Sequence, residues 1–148
     1  MSRVEASIVI DAPPDRVREV VMDPKRLGDW VTIHLRLGDV SDVPLKKGST
    51  LDQTLRIAHA HFKVHWTVTE LRDSEVVWDG RGPARSTAHT RYRFEPDGDG
   101  GTRFDYINDF RSPGGPLGRV ADRILVGGIS KREADRSLHR LKALLEKR

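Results

Sequence analysis

The sequence feature that most constrains the fold is a series of segments with two-residue alternation, followed by one long segment with helical periodicity. Residues 84–96 ("ARSTAHTRYRFEP") place apolar and polar side chains in turn, and residues 102–110 ("TRFDYINDF") repeat the pattern. Such alternation is typical of strands that bury one face of a sheet. In residues 117–145 the apolar residues recur instead at intervals of three and four, which predicts a helix. This helix is the only predicted element long enough to cover a wide sheet.

The order of the predicted elements is one strand, two short helices, six strands and one long helix. Residues 3–10 alternate and predict the first strand. Pro14 suits the first turn of a short helix that ends at Pro24, and residues 25–31 ("KRLGDWV") predict a second short helix. Because short connections join the later strands, the sheet should be antiparallel. We therefore expect an α+β fold in a single domain, residues 1–148, with about seven antiparallel strands and a long C-terminal helix.

The composition excludes several classes of protein. The sequence contains no cysteine, which excludes disulfides and cysteine-based zinc sites. It has no run of about 18 apolar residues, and residues 1–14 lack the apolar core of a signal peptide. We therefore expect no membrane-spanning segment, and a cytoplasmic location is the default prediction.

The net charge of +4 arises from a basic C-terminal segment. Residues 119–148 contain nine Lys and Arg against four Asp and Glu, whereas residues 1–118 are close to neutral. Such a segment is compatible with contact to nucleic acid or anionic lipid, or with the solvated face of an amphipathic helix. The acids that interrupt the basic run, and the absence of aromatic residues from it, favour the solvated face and argue against nucleic acid as a partner.

Residues 50–58 and 61–71 are predicted to form one antiparallel hairpin. One register places every apolar residue of both strands on the same face, with Gln53 opposite Trp66. A slip of one residue would move one apolar set to the other face, so the pattern constrains the pairing. We therefore expect Gln53 and Trp66 on the buried side of the sheet.

Three of the six histidines lie around the tip of this hairpin and raise the question of a metal site. His59 falls in the predicted turn, and His61 and His65 fall on the outer face. Four residues of strand separate His61 from His65 by roughly 13 Å. Two ligands of one zinc ion each lie about 2 Å from the metal, so this pair is too far apart. The histidines are predicted to face solvent, and no metal site is predicted.

Polar side chains also occur on the apolar faces of the predicted strands. Gln53 is one of them, and Tyr106 and Asn108 are in phase with the aromatic residues of the last strand. A buried amide without partners costs on the order of 1–3 kcal/mol. Gln53 therefore either bonds to a polar neighbour such as Asn108 or Tyr106, or points into a cavity. A few polar groups in apolar surroundings are typical of a small-molecule site.

Three segments, taken in order, resemble the START-like, helix-grip superfamily (SRPBCC) in its polyketide cyclase/dehydrase and lipid-transport branch. They are residues 7–30 ("SIVIDAPPDRVREVVMDPKRLGDW"), residues 64–71 ("VHWTVTEL") and residues 110–145, which begin "FRSPGGPLGRVADRILVGG". The resemblance covers essentially the whole chain. It implies a curved antiparallel sheet that grips a long C-terminal helix, with an apolar cavity between them. Members bind lipids, sterols, polyketides and other small hydrophobic molecules, and the branch has no universal catalytic triad.

The resemblance and the residue pattern together place a ligand cavity between sheet and helix. The pair Gly127-Gly128 removes side chains from the predicted helix where it crosses the apolar face, which leaves room. The predicted ligand-binding residues are Trp30, Gln53, Leu55, Trp66, Trp78, Tyr92, Tyr106, Asn108, Ile124 and Gly128.

Three functions follow from these observations. The first is a binding protein for a small hydrophobic ligand, the second is a cyclase or dehydratase for a polyketide-like substrate, and the third is an interaction module that uses the basic helix. An enzyme needs a general acid or base in the pocket. The predicted inward faces offer Tyr106 as the best acid candidate, but no histidine or carboxylate. Ligand binding is therefore the favoured function, whether catalysis occurs is left open, and no cofactor is predicted.

Overall fold

A computed structural model of the protein describes residues 2–57, 59–111 and 131–147. These residues form one seven-stranded sheet, two short helices and a helix of 16 residues at the C-terminal end. Short 3-10 turns at Pro24–Arg26 and Pro83–Arg85 connect some of the elements. The elements in chain order are β1 (Ser2–Ile10), α1 (Pro14–Val21), α2 (Leu27–Trp30), β2 (His34–Val40), β3 (Thr50–Ile57), β4 (Ala60–Leu71), β5 (Glu75–Arg81), β6 (Thr87–Asp97), β7 (Gly101–Arg111) and α3 (Lys131–Glu146).

All seven strands belong to one antiparallel sheet with the order β1-β7-β6-β5-β4-β3-β2. Strands β2 to β7 follow one another as neighbours, because their connections are short. The first strand instead closes the far edge, next to β7. The predicted α+β helix-grip fold, with seven antiparallel strands and a C-terminal helix, is confirmed.

The hairpin of β3 and β4 forms as predicted, but its predicted register is wrong by two residues. Gln53 pairs with Val64, and the ladder continues to a last pair between Ile57 and Ala60. The turn between the strands therefore lies one residue earlier in the chain than predicted, with His59 in the left-handed region at φ 70°. Because side chains alternate with a period of two, a shift of two residues keeps every side chain on its predicted face. Gln53 and Trp66 still lie on the same side of the sheet.

The two short helices cover part of the inner face of the sheet. In α1 the buried residues are Val17, Val20 and Val21, which repeat at helical spacing. Pro14 occupies the first turn, where its missing N–H leaves no hydrogen bond unmade. The single turn of α2 ends at Trp30, whose side chain is fully buried. These contacts place an indole against the middle of the sheet.

Helix α3 packs on the inner face and on the edge strand β1. It buries Leu138 and Leu141 in the core. The ammonium group of Lys142 donates to the backbone oxygen of Val9 at 2.8 Å, and that of Lys131 donates to the oxygen of Glu5 at 3.4 Å. These bonds occupy carbonyl groups that an edge strand would otherwise expose to a second chain.

Part of the predicted C-terminal helix falls outside the described residues. Residues 112–130 lie there, and with them the predicted site residues Ile124 and Gly128 and the pair Gly127-Gly128. Within the described ranges, no helix combines the length and the hydropathy needed to cross a membrane.

Candidate functional site

A cavity of about 310 Å³ lies between the inner face of the sheet and α3. Strands β3 to β7 form its floor, α2 and the residues after it form one side, and α3 forms the roof. Most of its wall is apolar. The lining residues are Leu27, Trp30, Val31, Thr32, Ile33, Leu51, Gln53, Leu55, Ile57, Phe62, Val64, Trp66, Trp78, Gly80, Gly82, Pro83, Ala84, Ser86, Thr87, Ala88, Thr90, Tyr92, Tyr106, Asn108, Phe110, Glu133, Ala134, Ser137 and Leu138.

The structure brings eight of the ten predicted site residues together on this wall. The other two, Ile124 and Gly128, lie outside the described residues. A role in ligand binding for the eight stays a prediction. The convergence of the seven that lie on strands is a direct consequence of the strand alternation, and Trp30 reaches the wall from α2. The eight residues are Trp30, Gln53, Leu55, Trp66, Trp78, Tyr92, Tyr106 and Asn108.

Five of the eight are aromatic, and several of them are in contact with one another. Trp66 and Trp78 meet edge to face with ring centroids 6.3 Å apart. Tyr92 lies 6.3 Å from Trp30 and 6.1 Å from Tyr106, again between centroids. Such pairs restrict the rotation of the rings, and each contributes about 0.5–1.5 kcal/mol beyond its buried area. The aromatic part of the wall is therefore a rigid surface.

Gln53 is hydrogen-bonded within the protein, to partners that differ from the predicted ones. The indole Nε1–H of Trp66 donates to its Oε1 at 2.9 Å. Its Nε2 lies 2.9 Å from Nδ1 of His34. Because the amide oxygen accepts from the indole, the amide nitrogen donates, and Nδ1 of His34 is the acceptor. This arrangement leaves the imidazole neutral, with its proton on Nε2.

The pH dependence of stability should reflect this chain of hydrogen bonds. Burial lowers the pKa of His34 below its usual value. The unfolded chain therefore binds a proton more readily than the folded protein, and stability falls as the pH drops below about 6.5. We expect His34→Asn to be less stable than the wild type at neutral pH but to lose less further stability between neutral pH and pH ~5.

Denaturant unfolding at a series of pH values measures this effect. His61→Asn, at an exposed position of β4, is the matched control and should keep the slope of the wild type. Parallel pH profiles for the wild type and His34→Asn would contradict the assignment.

Asn108 is the centre of a second polar group on the floor. The hydroxyl of Thr90 donates to its Oδ1 at 3.0 Å, and both side chains are buried. Burial raises the pKa of Tyr106 to about 12, although a hydrogen bond with Asn108 acts in the opposite direction. Burial also raises the pKa of Tyr92, and the neighbouring Tyr106 adds to the effect. Both phenols are neutral near pH 7, so Tyr106 is a hydrogen-bonding group and a poor source of protons.

A third polar group lies at the roof, and no periodic pattern in the sequence indicates it. The hydroxyl of Thr32 donates to Oε2 of Glu133 at 2.6 Å, and its backbone N–H donates to Oγ of Ser137 at 3.0 Å. All three residues line the cavity. These bonds tie the segment after α2 to α3. The only sequence signal was the position of Ser137 among the apolar residues of the helix, and Glu133 was grouped with the solvated face.

The three hairpin histidines lie outside this site. His59, His61 and His65 are exposed, and none of them lines the cavity. Nδ1 of His65 is 2.6 Å from Oδ1 of Asp52, its partner across the β3–β4 ladder. Within residues 2–57, 59–111 and 131–147, no three His, Asp or Glu side chains are grouped closely enough to hold a metal ion.

The family described as "Polyketide cyclase / dehydrase and lipid transport" matches residues 1–146 of the chain. The protein therefore belongs to this family, and the resemblance to the START-like helix-grip superfamily is confirmed.

Solved structures with the same fold come from several bacteria. The TTHA0849 protein of Thermus thermophilus is 17% identical, with 97% of each chain covered and a TM-score of 0.75. The Zhui aromatase/cyclase of Streptomyces sp. R1128 is 13% identical over 99% of this chain and 94% of that chain, with a TM-score of 0.75. A START superfamily protein from Mycobacterium smegmatis is 13% identical over 98% and 97%, with a TM-score of 0.70. At these identities the likeness shows the fold alone. No curated protein matches the sequence.

Proposed function

We propose that the protein binds a small hydrophobic ligand, lipid-like or polyketide-like, in the cavity between the sheet and α3. The observation that carries the proposal is the hydrogen bonding of the two amides, Gln53 and Asn108, on a mostly apolar wall. The amide of Gln53 has an internal partner for its oxygen and one for its nitrogen, and the amide oxygen of Asn108 accepts the hydroxyl of Thr90. An apolar ligand therefore leaves these groups satisfied, so their desolvation penalty of about 1–3 kcal/mol each does not oppose its binding.

The size and rigidity of the cavity also support this function. Its volume of about 310 Å³ lies at the lower end of the range for small-molecule sites. The aromatic contacts keep the wall in place, so little conformational entropy is lost when a ligand enters. A ligand of modest size that buries most of its surface against rings and aliphatic side chains fits these properties.

A cyclase or dehydratase is the second candidate, and one observation favours it. Glu133 brings a carboxylate to the cavity wall, where the strand alternation predicted none. Its Oε2 accepts the hydroxyl of Thr32, and its Oε1 lies 3.2 Å from Arg136. A general base needs a free oxygen within reach of the substrate proton. Since each oxygen of this carboxylate already holds a partner, the structure supports binding more strongly than catalysis.

Filling the cavity from the roof tests the proposed function. Ala134 is buried on α3 and lines the cavity, so Ala134→Leu places three further carbon atoms in the ligand space. We expect the affinity for an uncharged, environment-sensitive dye such as Nile red to fall by at least about tenfold, because each lost buried CH₂ contact is worth about 0.8 kcal/mol. Fluorescence titration measures the dye affinity.

Ala143→Leu is the matched control, because residue 143 is exposed on the same helix. This variant should bind the dye like the wild type. Equal dye affinities for both variants would mean that the dye binds elsewhere, and the proposal would lose its support. If the proposal is right, native mass spectrometry of the protein purified from its own host should also show a retained small molecule. This molecule should be lost or reduced in Ala134→Leu.

A further inference from the structure

The basic residues of α3 fall into two groups with different surroundings. Lys131 and Lys142 bond to the backbone of β1. Arg132, Arg136 and Arg140 instead follow one another at intervals of four along the helix, and all three are exposed. Lys147, also exposed, comes directly after the last turn. We call Arg132, Arg136, Arg140 and Lys147 the basic ridge.

The basic ridge lies on the side of α3 that faces away from the sheet. Buried Ala134, Leu138 and Leu141 mark the inner side of the helix. With 100° of rotation per residue, Arg132 and Arg136 point to the opposite side from Ala134. At a rise of 1.5 Å per residue, the ridge is ~22 Å long. It is therefore a positive strip on an exposed surface.

Two of the three acids of α3 form their ion pairs with lysines outside the basic ridge. Asp135 lies 3.3 Å from Nζ of Lys131, on the side of the helix near β1. Glu146 pairs with Lys142 and accepts the backbone N–H of Asp11 at 3.1 Å. The acids at these two positions thus belong to the contacts that hold α3 against the first strand.

The third acid of α3, Glu133, pairs through Oε1 with Arg136 of the ridge at 3.2 Å, and its Oε2 accepts the hydroxyl of Thr32. Among the residues that the structure describes, Arg132 and Arg140 have no ion pair. The carboxylates of α3 are thus paired, whereas the guanidinium groups of Arg132 and Arg140 are exposed. The sequence alone favoured a solvated helix face with no binding partner. The unpaired guanidinium groups favour a binding surface instead.

We propose that the basic ridge docks the protein on an anionic lipid bilayer. The inner side of the same helix carries Ala134 and Ser137 on the cavity wall. A docked α3 would therefore hold the cavity about one helix diameter, ~10 Å, from the lipid headgroups. This proposal rests on the ligand-binding function proposed above. A hydrophobic ligand dissolves in a bilayer far better than in water, so the bilayer would be the source of the ligand. In this arrangement the basic ridge binds the bilayer, and the cavity receives the ligand.

The chemistry of the ridge favours a bilayer over nucleic acid. Residues 131–147 contain no Phe, Tyr or Trp, the side chains that most often stack on nucleic-acid bases. A row of guanidinium and ammonium groups on an exposed helix is instead the pattern that binds anionic headgroups, with about 1 kcal/mol for each Lys or Arg near the surface. One such charge corresponds to a change of about fivefold in the partition coefficient.

Co-sedimentation with lipid vesicles tests the proposal. The wild type should bind vesicles that contain phosphatidylglycerol, bind pure phosphatidylcholine vesicles weakly, and dissociate at high salt. The double variant Arg132→Gln/Arg140→Gln should lower the partition coefficient roughly tenfold to thirtyfold. Arg36→Gln/Arg56→Gln removes the same net charge from exposed positions of β2 and β3, and should change the partition coefficient by less than about twofold.

Three results would overturn the proposal. One is equal binding to the two kinds of vesicle, and another is an equal loss of binding in the two double variants. The third is tighter binding of the wild type to duplex RNA or DNA than to anionic vesicles at the same ionic strength. Thermal unfolding checks that all variants are folded. Nile red titration distinguishes a failure of bilayer docking from a failure of ligand binding in the cavity. The ridge variant should bind the dye like the wild type, and Ala134→Leu should bind vesicles like the wild type.

Discussion

Replacing Trp30 by alanine is expected to lower the free energy of unfolding by about 3–5 kcal/mol. The Trp30 side chain is only 2% exposed and belongs to the main core cluster. Its ring contacts Tyr92 and Phe104 edge to face, with centroids 6.3 Å away in each case. It is also the main buried residue of α2, a helix too short to be stable alone. Chemical denaturation of the wild type and the variant measures the difference.

Two further variants make this prediction specific. The Nε1–H of Trp30 has no hydrogen-bond partner within the described residues, so Trp30→Phe loses no such bond and should cost only about 1–2 kcal/mol. Leu35→Ala, at an exposed position of β2, should change stability by less than about 0.5 kcal/mol. A cost below about 1 kcal/mol for Trp30→Ala would show that α2 contributes little to the core and that the cavity wall is mobile there.

The fold was predictable because nearly every strand displays one periodic face. In β6 and β7 the alternation identified each inward residue, and the pairs Tyr92–Tyr106 and Thr90–Asn108 then follow from the hairpin between them. The alternation did not determine the register of β3 and β4, for a physical reason. Registers that differ by two residues bury the same faces, so only the position of the turn distinguishes them. The sequence placed His59 in the turn but did not indicate that the turn begins one residue earlier than predicted.

The strand residues of the candidate site were predictable, but their polar partners were not. His34, the partner of Gln53, lies in β2, where shifts in register break the two-residue alternation. Thr32 and Ser137 come from a connecting segment and a helix, and they meet only because α3 packs beside α2. The contacts depend on packing between elements distant in sequence, and no local period encodes such packing.

The distribution of charge on α3 likewise depends on packing that the local sequence pattern does not encode. The sequence displays acids and bases in one run, and the balance between them indicates a solvated surface. Only the packed helix shows that Lys131 and Lys142 are engaged by β1, while Arg132 and Arg140 project away from it. A net charge summed over a segment therefore cannot distinguish a neutralised face from a basic one.

Replacing Gly80 by alanine is expected to lower the free energy of unfolding by about 1–3 kcal/mol and to weaken dye binding. A Cβ atom at this position would lie 2.7 Å from Cζ3 and 2.8 Å from Cε3 of Trp66, closer than carbon atoms can approach. The indole is held against the sheet by its hydrogen bond to Gln53 and its contact with Trp78. The added methyl group must push the ring away from the sheet and into the cavity. Denaturant unfolding and Nile red titration measure the two effects.

A double-mutant cycle with Trp66→Leu tests the cause of this effect. In the Trp66→Leu background the indole is absent, so Gly80→Ala should cost less than about 0.5 kcal/mol, and the coupling energy should be about 1–2 kcal/mol. Gly28→Ala is the control, because the nearest atom to its added Cβ would be Cδ2 of His34 at 3.4 Å, an ordinary contact. That variant should be neutral or slightly stabilising, since alanine restricts the unfolded chain more than glycine does. Additive costs in the cycle would show that Gly80→Ala acts through the strand itself, and the close approach of Trp66 to Gly80 would then not determine the shape of the cavity floor.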